Sequence, residues 1–461
     1  MREFLPEAFT LGCFLLYLVL SMKKRSPRLG ALAVGLSFLG FLLSLWDLGQ
    51  RGEFFNGAYR VDGLSQVFKV IIALGLFLVF GMGKEREDAE RGYGAEFYAF
   101  LTLSAFGLMV LVSACELLTL FLALELSSYS LYLVLPLRRE MPSQALEGGV
   151  KYLLFGAMAS GITLYGMGYL YALSGSTRLE ALVLQGEALE GLALILVFCG
   201  LFFKLSLFPF HFWAPDVYQG ASNPTAAFIA GVPKVGALAV LLRFVALTPE
   251  TEVLIRILWV FSALSMTFGY LSALVQRDLK RLLAYSGIAH AGYLMLGIIS
   301  FEDLGRVSAT YYVIVYLLMT LGAFMAVLFL LDSRGNPSLD DLRGLYRRSP
   351  LLAFTLAVSA FSLVGIPPTG GFMGKLLLFT SAFKAGYLYL VIIGAVNTAL
   401  SLFYYLNLVR LSYCREPEGV LGEIRLGPFQ KALCLGLIAV IIYLGLFPTV
   451  LERLLGAALT T

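Results

Sequence analysis

The chain has 461 residues, 59% of them hydrophobic and 14% charged, with a mean hydropathy of +0.84. A soluble domain carries roughly 25% charged residues, so a water-soluble globule is excluded. The net charge of +4 is too small to suggest a nucleic-acid partner. The five cysteines (13, 115, 199, 414 and 434) form no CxxC pair and lie mostly in apolar runs. They read as small core residues, with no metal or disulfide framework. Two histidines, and no Gly-rich nucleotide loop after a strand, give no reason to expect a cofactor site in this chain.

Apolar stretches of about 20 residues recur along the whole length, the pattern of a polytopic helical membrane protein. They predict fourteen spans, at 4–21, 28–48, 62–83, 95–112, 114–136, 148–173, 189–213, 224–247, 253–275, 282–300, 306–331, 350–385, 386–410 and 431–455. The N-terminus, MREFLPEAFT, has no cationic leader, and the cluster KKR at 23–25 follows the first span. That order marks an uncleaved helix entering from outside. With the N-terminus outside, 21 of the 34 Lys and Arg fall in inside loops, nine at outside ends and four within spans. The bias alternates as the span count requires, so both termini are expected on the outer side of a bacterial cell membrane.

The four lysines within spans are Lys69, Lys204, Lys234 and Lys375. A charge at mid-bilayer costs about 2.5–3.5 kcal/mol on insertion scales, so such groups are functional candidates by default. Lys69 lies early in its span and is expected to snorkel to the outer interface. Glu116 lies near a helix end and reads as interfacial, whereas Glu125, in "LFLALELSSYSLYLV", falls at mid-span and needs a partner or a proton. Lys204 precedes Pro209 and Pro215 in "LFFKLSLFPFHFWAPDVYQGA", where the helix is expected to break near mid-membrane. Lys234 follows Pro233. Lys375 lies in "GIPPTGGFMGKLLLF", where Pro367, Pro368, Gly370 and Gly371 interrupt another span. His290 falls mid-span among these groups, and the unperturbed pKa of histidine suits a shuttle, although a lone helix histidine is commonly a core residue. His211, beside Pro209, reads as structural.

Surplus lysines at one depth, coinciding with helix breaks, point to a proton or ion path rather than to a single inert pair. A desolvated lysine releases its proton more readily, a negative glutamate nearby favours the charged lysine, and a broken helix admits water. The two broken spans, seventh and twelfth, are five apart, which reverses their direction in the membrane. This suggests inverted repeats, with three N-terminal spans (1–94), a first five-helix repeat (95–248), a second (249–412) and a C-terminal loop with the last span (413–461).

The stretches "FKLSLFPFHFWAPDVYQGAS", "VPKVGAL", "LALELSSYSLYLV", "EGGVKYLLFGAMASG", "RLLAYSGIAHAGYLMLG" and "GIPPTGGFMGKLLLF" resemble the antiporter-like membrane subunits of respiratory complex I, over nearly the whole chain. Within that family the sister subunit M and most related antiporter subunits typically carry glutamate where this chain has Lys375. Subunit L has a lysine there but also a long lateral helix, and this chain stops after the fourteenth span. The resemblance implies a proton-translocating subunit of an NADH:quinone oxidoreductase. Glu125 would modulate Lys204, Lys234 would be the connecting lysine, His290 a link onward and Lys375 the outer-half lysine. Lys151, in a "KY" motif, would extend the row. It also implies that FMN, iron–sulfur clusters and quinone belong to other subunits, and that the neighbours are subunit M, the small subunits K, J and A, and lipid. Two rival readings stand beside it. One is a subunit of a cation/proton antiporter, or of a ferredoxin-, F420- or hydrogenase-linked complex; the other is a non-conducting assembly scaffold.

Overall fold

The computed structural model describes residues 2–22, 29–83, 94–138, 141–182, 184, 186–247, 250–330, 336–414 and 422–459. The loop cations Lys23, Lys24, Arg25, Arg28, Lys84, Arg86, Arg91, Arg139, Arg334 and Arg415, which carry part of the charge bias, lie outside the described residues.

The helices in chain order are α1 (Leu5–Ser21), α2 (Leu29–Trp46), α3 (Gly63–Met82), α4 (Ala95–Ser113), α5 (Leu117–Val134), α6 (Pro142–Ser174), α7 (Ala188–Leu205), α8 (Ala214–Gly220), α9 (Asn223–Leu247), α10 (Glu252–Leu274), α11 (Leu279–Ile298), α12 (Asp303–Phe329), α13 (Leu345–Arg348), α14 (Pro350–Val364), α15 (Gly370–Lys384), α16 (Leu388–Cys414), α17 (Pro428–Leu446) and α18 (Pro448–Leu459). Among the described residues twelve helices are long and apolar enough to cross a membrane. The 20-residue α11 is long enough but carries Lys280, Arg281, Ser286 and His290, and α14 and α15 are half-spans of 15 residues each. With α8 continuing α7 and α15 continuing α14, these make up the fourteen crossings of an all-α polytopic membrane protein.

The centre of the bundle is α9 and α12, whose apolar windows are 100% and 94% buried, against 22–33% for α2, α16 and α17 on the periphery. The same pairings occur twice: α4 packs on α5, α6 on α7 and α9 on α4, and in the second half α10 packs on α11, α12 on α14 and α16 on α10.

Three features differ from the sequence expectation. The last span does not run to 455; α17 ends at Leu446 and Pro448 opens a separate helix that packs on α3 and α12, because proline donates no N–H to extend the first helix. The breaks are also more sharply placed. After α7, Ser206 is left-handed (φ 60°) and the Leu207 N–H closes on the Phe202 carbonyl at 2.9 Å. After α14, Gly365 (φ 92°) and the Ile366 N–H, 2.9 Å from the Phe361 carbonyl, do the same. Both are αL terminations that satisfy orphan carbonyls. Pro209, Pro367 and Pro368 lie inside the breaks, whereas Pro215, Gly370 and Gly371 begin the helices that follow. Gly371 is required by packing, since a Cβ there would stand 1.8 Å from the Ser362 carbonyl oxygen. Pro233 breaks nothing, for α9 runs through it.

Lys69 is the third difference. It does not snorkel but is 1% exposed, with its ammonium 2.6 Å from Glu7 and 3.2 Å from the Tyr59 hydroxyl, which itself donates to Glu7 at 2.6 Å. Tyr59 belongs to a hairpin, β1 (Gly52–Phe54) and β2 (Tyr59–Val61), that joins α2 to α3 and reaches over α1 and α3. A sequence shows no register between α1 and α3, so this partner was invisible. Removing one member of such a buried pair costs about 3–5 kcal/mol, because the other is stranded. Glu7→Gln is therefore expected to lower the melting temperature of the assembled complex, and adding Lys69→Met to recover much of the loss. A double variant no more stable than Glu7→Gln would refute the pair as the cause. Nearby, Arg243 is drawn inward as well, holding Asp62 at 2.7 and 3.1 Å and the Val112 carbonyl at 2.9 Å.

Candidate proton-relay site

The site is a row of polar side chains threading the apolar core. It starts at Glu125 on α5, whose carboxylate accepts from Ser160 of α6. Lys204 stands in the last turn of α7, 1% exposed, and donates to the Ser127 hydroxyl at 3.2 Å. Ser104 of α4 holds Ser127 in turn, at 3.0 Å from both its hydroxyl and its carbonyl. No direct Glu125–Lys204 ion pair occurs among the described residues, although Lys204 lies in the field of that carboxylate. Separate hydroxyls hold the two charges, so a small rotation at either serine changes their coupling.

The α7 break gives Lys204 its setting. The α7 carbonyls that end at Leu205 carry partial negative charge, which favours an ammonium. Trp213 clamps the break by donating its indole N–H to the Phe203 carbonyl at 3.1 Å. His211, in the same break, stacks on Phe208 at 5.2 Å and lies in a ring cluster with Phe212 and Phe268. It does not touch the row.

Lys234, fully buried in the central α9, donates to the Gly287 carbonyl of α11 at 2.7 Å and to the Tyr316 hydroxyl of α12 at 3.3 Å. Gly287 is needed for this approach: a Cβ there would lie 2.9 Å from both the Lys234 amine and the Tyr316 hydroxyl. The same point is 3.8 Å from the Tyr218 hydroxyl, which is buried and has no hydrogen-bond partner among the described residues. Tyr218 follows the break and packs near Trp213, whose indole bonds the Phe203 carbonyl next to Lys204 in sequence. A buried orphan hydroxyl beside an ammonium is a place for a bridging water.

One turn beyond Gly287 is His290. Its Nδ1 is 2.6 Å from the Tyr312 hydroxyl and its Nε2 3.2 Å from the Tyr405 hydroxyl, so both ring nitrogens face groups able to give or take a proton. The Tyr270 ring packs edge-on at 6.1 Å, and its hydroxyl reaches the Lys375 amine at 3.4 Å. Lys375 also donates to the last carbonyls of α14, Leu363 at 3.1 Å and Val364 at 2.9 Å, and sits 4.5 Å over the Tyr293 ring. Lys204 and Lys375 are thus each placed at the C-terminal end of a half-helix, the first by its own helix and the second by the one before it.

The structure gathers Lys234, His290 and Lys375 around Tyr316 and Tyr270, and sets Lys204 in the field of Glu125; no hydrogen bond joins Lys204 to Lys234 among the described residues. It places Lys151 elsewhere, in a part-exposed ion-pair cluster with Glu147 and Asp216, both at 2.6 Å. Asp216 also pairs with Arg281. Sequence reasoning passed over Ser127, Ser160, Gly287, Tyr270, Tyr312, Tyr316 and Tyr405. The available signal was tyrosine inside otherwise apolar helices, where a hydroxyl in lipid lacks a partner. Among the described residues no group of three His, Cys, Asp or Glu gathers as a metal site.

The profile described as "NADH:quinone oxidoreductase/Mrp antiporter, TM" matches residues 114–401, which contain all five residues of the row. NADH-quinone oxidoreductase subunit N 2 of Solidesulfovibrio magneticus is 47% identical, over 90% of this chain and 89% of its own length. A chain of respiratory complex I from Thermus thermophilus, solved with bound aureothin, superposes with a TM-score of 0.86 at 35% identity, covering 99% of this chain and all of that one. A chain of an archaeal membrane-bound sulfane sulfur reductase has the same fold, with a TM-score of 0.90, but only 22% identity. The chain belongs to the NADH:quinone oxidoreductase/Mrp antiporter membrane-subunit family, among the NADH-quinone oxidoreductase subunits N.

Proposed function

We propose that this chain carries protons in the membrane arm of an NADH-quinone oxidoreductase. Its relay is Glu125, Lys204, Lys234, His290 and Lys375. Electron transfer occurs in other subunits, which hold FMN, iron–sulfur clusters and quinone. The observation that supports the reading is the burial of five titratable side chains within apolar helices, three of them, Lys234, His290 and Lys375, sharing tyrosine contacts. Burying so many ionisable groups is costly and unnecessary for packing.

Each step shifts a proton between neighbouring sites. A negative Glu125 favours protonated Lys204; when its charge is neutralised or turned away, Lys204 gives its proton toward Lys234 by way of water at Tyr218. Lys234 and Lys375 exchange through His290 and its tyrosines. Residues 95–248 and 249–412 act as two half-channels, both termini face the outer side, and subunit M with the small K, J and A subunits are the neighbours.

Lys234→Met tests this, since it keeps the volume of the stem and removes the proton site. Loss of a positioned proton-transfer group costs about 10²–10⁴ in rate. The assembled complex, reconstituted in vesicles, is expected to pump at least about tenfold more slowly with unchanged assembly on a native gel. Normal assembly with normal pumping would favour a scaffold, and pumping that requires sodium would favour the antiporter reading.

A further inference from the structure

A crevice of about 660 Å³ opens between α10, α11 and α16. Its rim carries Gln276, Asn407 and Arg410 beside the exposed Leu274, Phe403 and Leu406, and the buried Leu282 and Tyr404 lie beneath. It lies at the Lys/Arg-rich end of these helices, which the charge bias assigns to the inside. From this floor a hydroxyl chain leads to the relay. Tyr404 is 4% exposed, and its hydroxyl lacks a partner of good geometry while lying within reach of Tyr405 and Ser286. The Ser286 and Tyr405 hydroxyls hydrogen-bond to each other, and Tyr405 reaches His290 Nε2 at 3.2 Å.

We infer that protons enter the second half of this chain from the inside through the α10–α11–α16 crevice, crossing Tyr404, Ser286 and Tyr405 to reach His290. The inference rests on the relay proposed above and adds its inlet.

The depths fit. Leu282, Ser286 and His290 follow one another along α11 at steps of about 6 Å, from the crevice floor through the hydroxyl pair to the imidazole. On α16, Arg410, Asn407 and Tyr404 descend in the same direction. Two helices therefore supply matched rungs, with the Tyr404 and Tyr405 rings, 4.2 Å apart, between the crevice and His290. The polar groups at the mouth give water partners there.

The transfer balances without any redox step. With Nδ1–H donating to Tyr312, Nε2 is free to accept. Tyr405 gives its hydroxyl proton to Nε2 and takes one from Ser286, which takes one from a hydronium ion at Tyr404, leaving neutral water. One proton moves inward, each hydroxyl is restored, and no electron is transferred. Tyr405 and Ser286 are conduits on which no charge rests, and His290 passes the proton on.

The test uses the whole complex in vesicles with the inner face outward, in a Cys414→Ser background because Cys414 is exposed. Asn407→Cys is treated with a membrane-impermeant cationic thiol reagent, and pumping per NADH is compared with the same preparation untreated. Labelling with a fall of about tenfold in pumping rate, and a similar fall in Tyr405→Phe with intact assembly, is the expected result. Absence of labelling would mean a dry or lipid-filled crevice and would overturn the inlet. So would labelling that leaves pumping unchanged, or a Tyr405→Phe complex that pumps normally. The relay itself is judged separately: if Lys234→Met loses pumping while labelled Asn407→Cys pumps normally, only the inlet fails.

Discussion

Replacing Lys204 with alanine is expected to leave the complex assembled, and to lower both NADH-to-quinone turnover and proton pumping by at least about tenfold. Assembly survives because Lys204 makes one hydrogen bond, to Ser127, while the α7–α8 break is held by backbone closure at Leu207 and by the Trp213 indole. Function fails for two reasons. Glu125 keeps its bond from Ser160 but loses the nearby ammonium, and the α7 carbonyl end loses its cation. The first half then has no group on which a proton rests between Glu125 and Lys234. The measurement is a native gel, turnover and pumping on one membrane preparation. Turnover and pumping both at wild-type levels would remove Lys204 from the relay and shift the weight to a scaffold.

Lys375→Glu is expected to pump as poorly as Lys375→Met, although both glutamate and lysine carry protons. The Lys375 amine sits against two carbonyl oxygens that end α14, at 3.1 and 2.9 Å, and over the face of Tyr293. Hydrogen bonds to a charged donor contribute about 1.5–3 kcal/mol each. A carboxylate in the same place meets those oxygens, the negative helix end and the ring face with the wrong sign, so glutamate is held neutral and does not cycle. Pumping by reconstituted complexes carrying each variant decides it. A Lys375→Glu complex that pumps at the wild-type rate would show that the carbonyl cage does not select lysine.

The inlet at α10–α11–α16 bears on the same lysine. His290 lies between Lys234 and Lys375, so a proton delivered there can leave toward either. Loss of Lys375 function would then leave the inlet supplying only the Lys234 side.

What was legible in the sequence follows from the bilayer. Each span must be apolar for about 20 residues, so the fourteen crossings and the five buried titratable groups stand out as an interrupted pattern. Proline and glycine inside those spans mark breaks because they alter backbone hydrogen bonding locally. The exact ends of the breaks were less legible. Pro215 and Gly370 start helices as readily as they end them, and Pro233 passes unbroken within the packed α9.

By itself the sequence determined the class of protein and the number of crossings, because these depend on local hydropathy and one-dimensional spacing. Only the tertiary structure decided which groups meet. It paired Lys69 with Glu7, took Lys151 into a surface cluster with Asp216, and set tyrosines from α10, α12 and α16 around His290 and the lysines. Those contacts depend on the register and rotation of helices that are apolar on nearly every face. With no amphipathic stripe to orient each helix, close packing alone selects the face each presents to its neighbours.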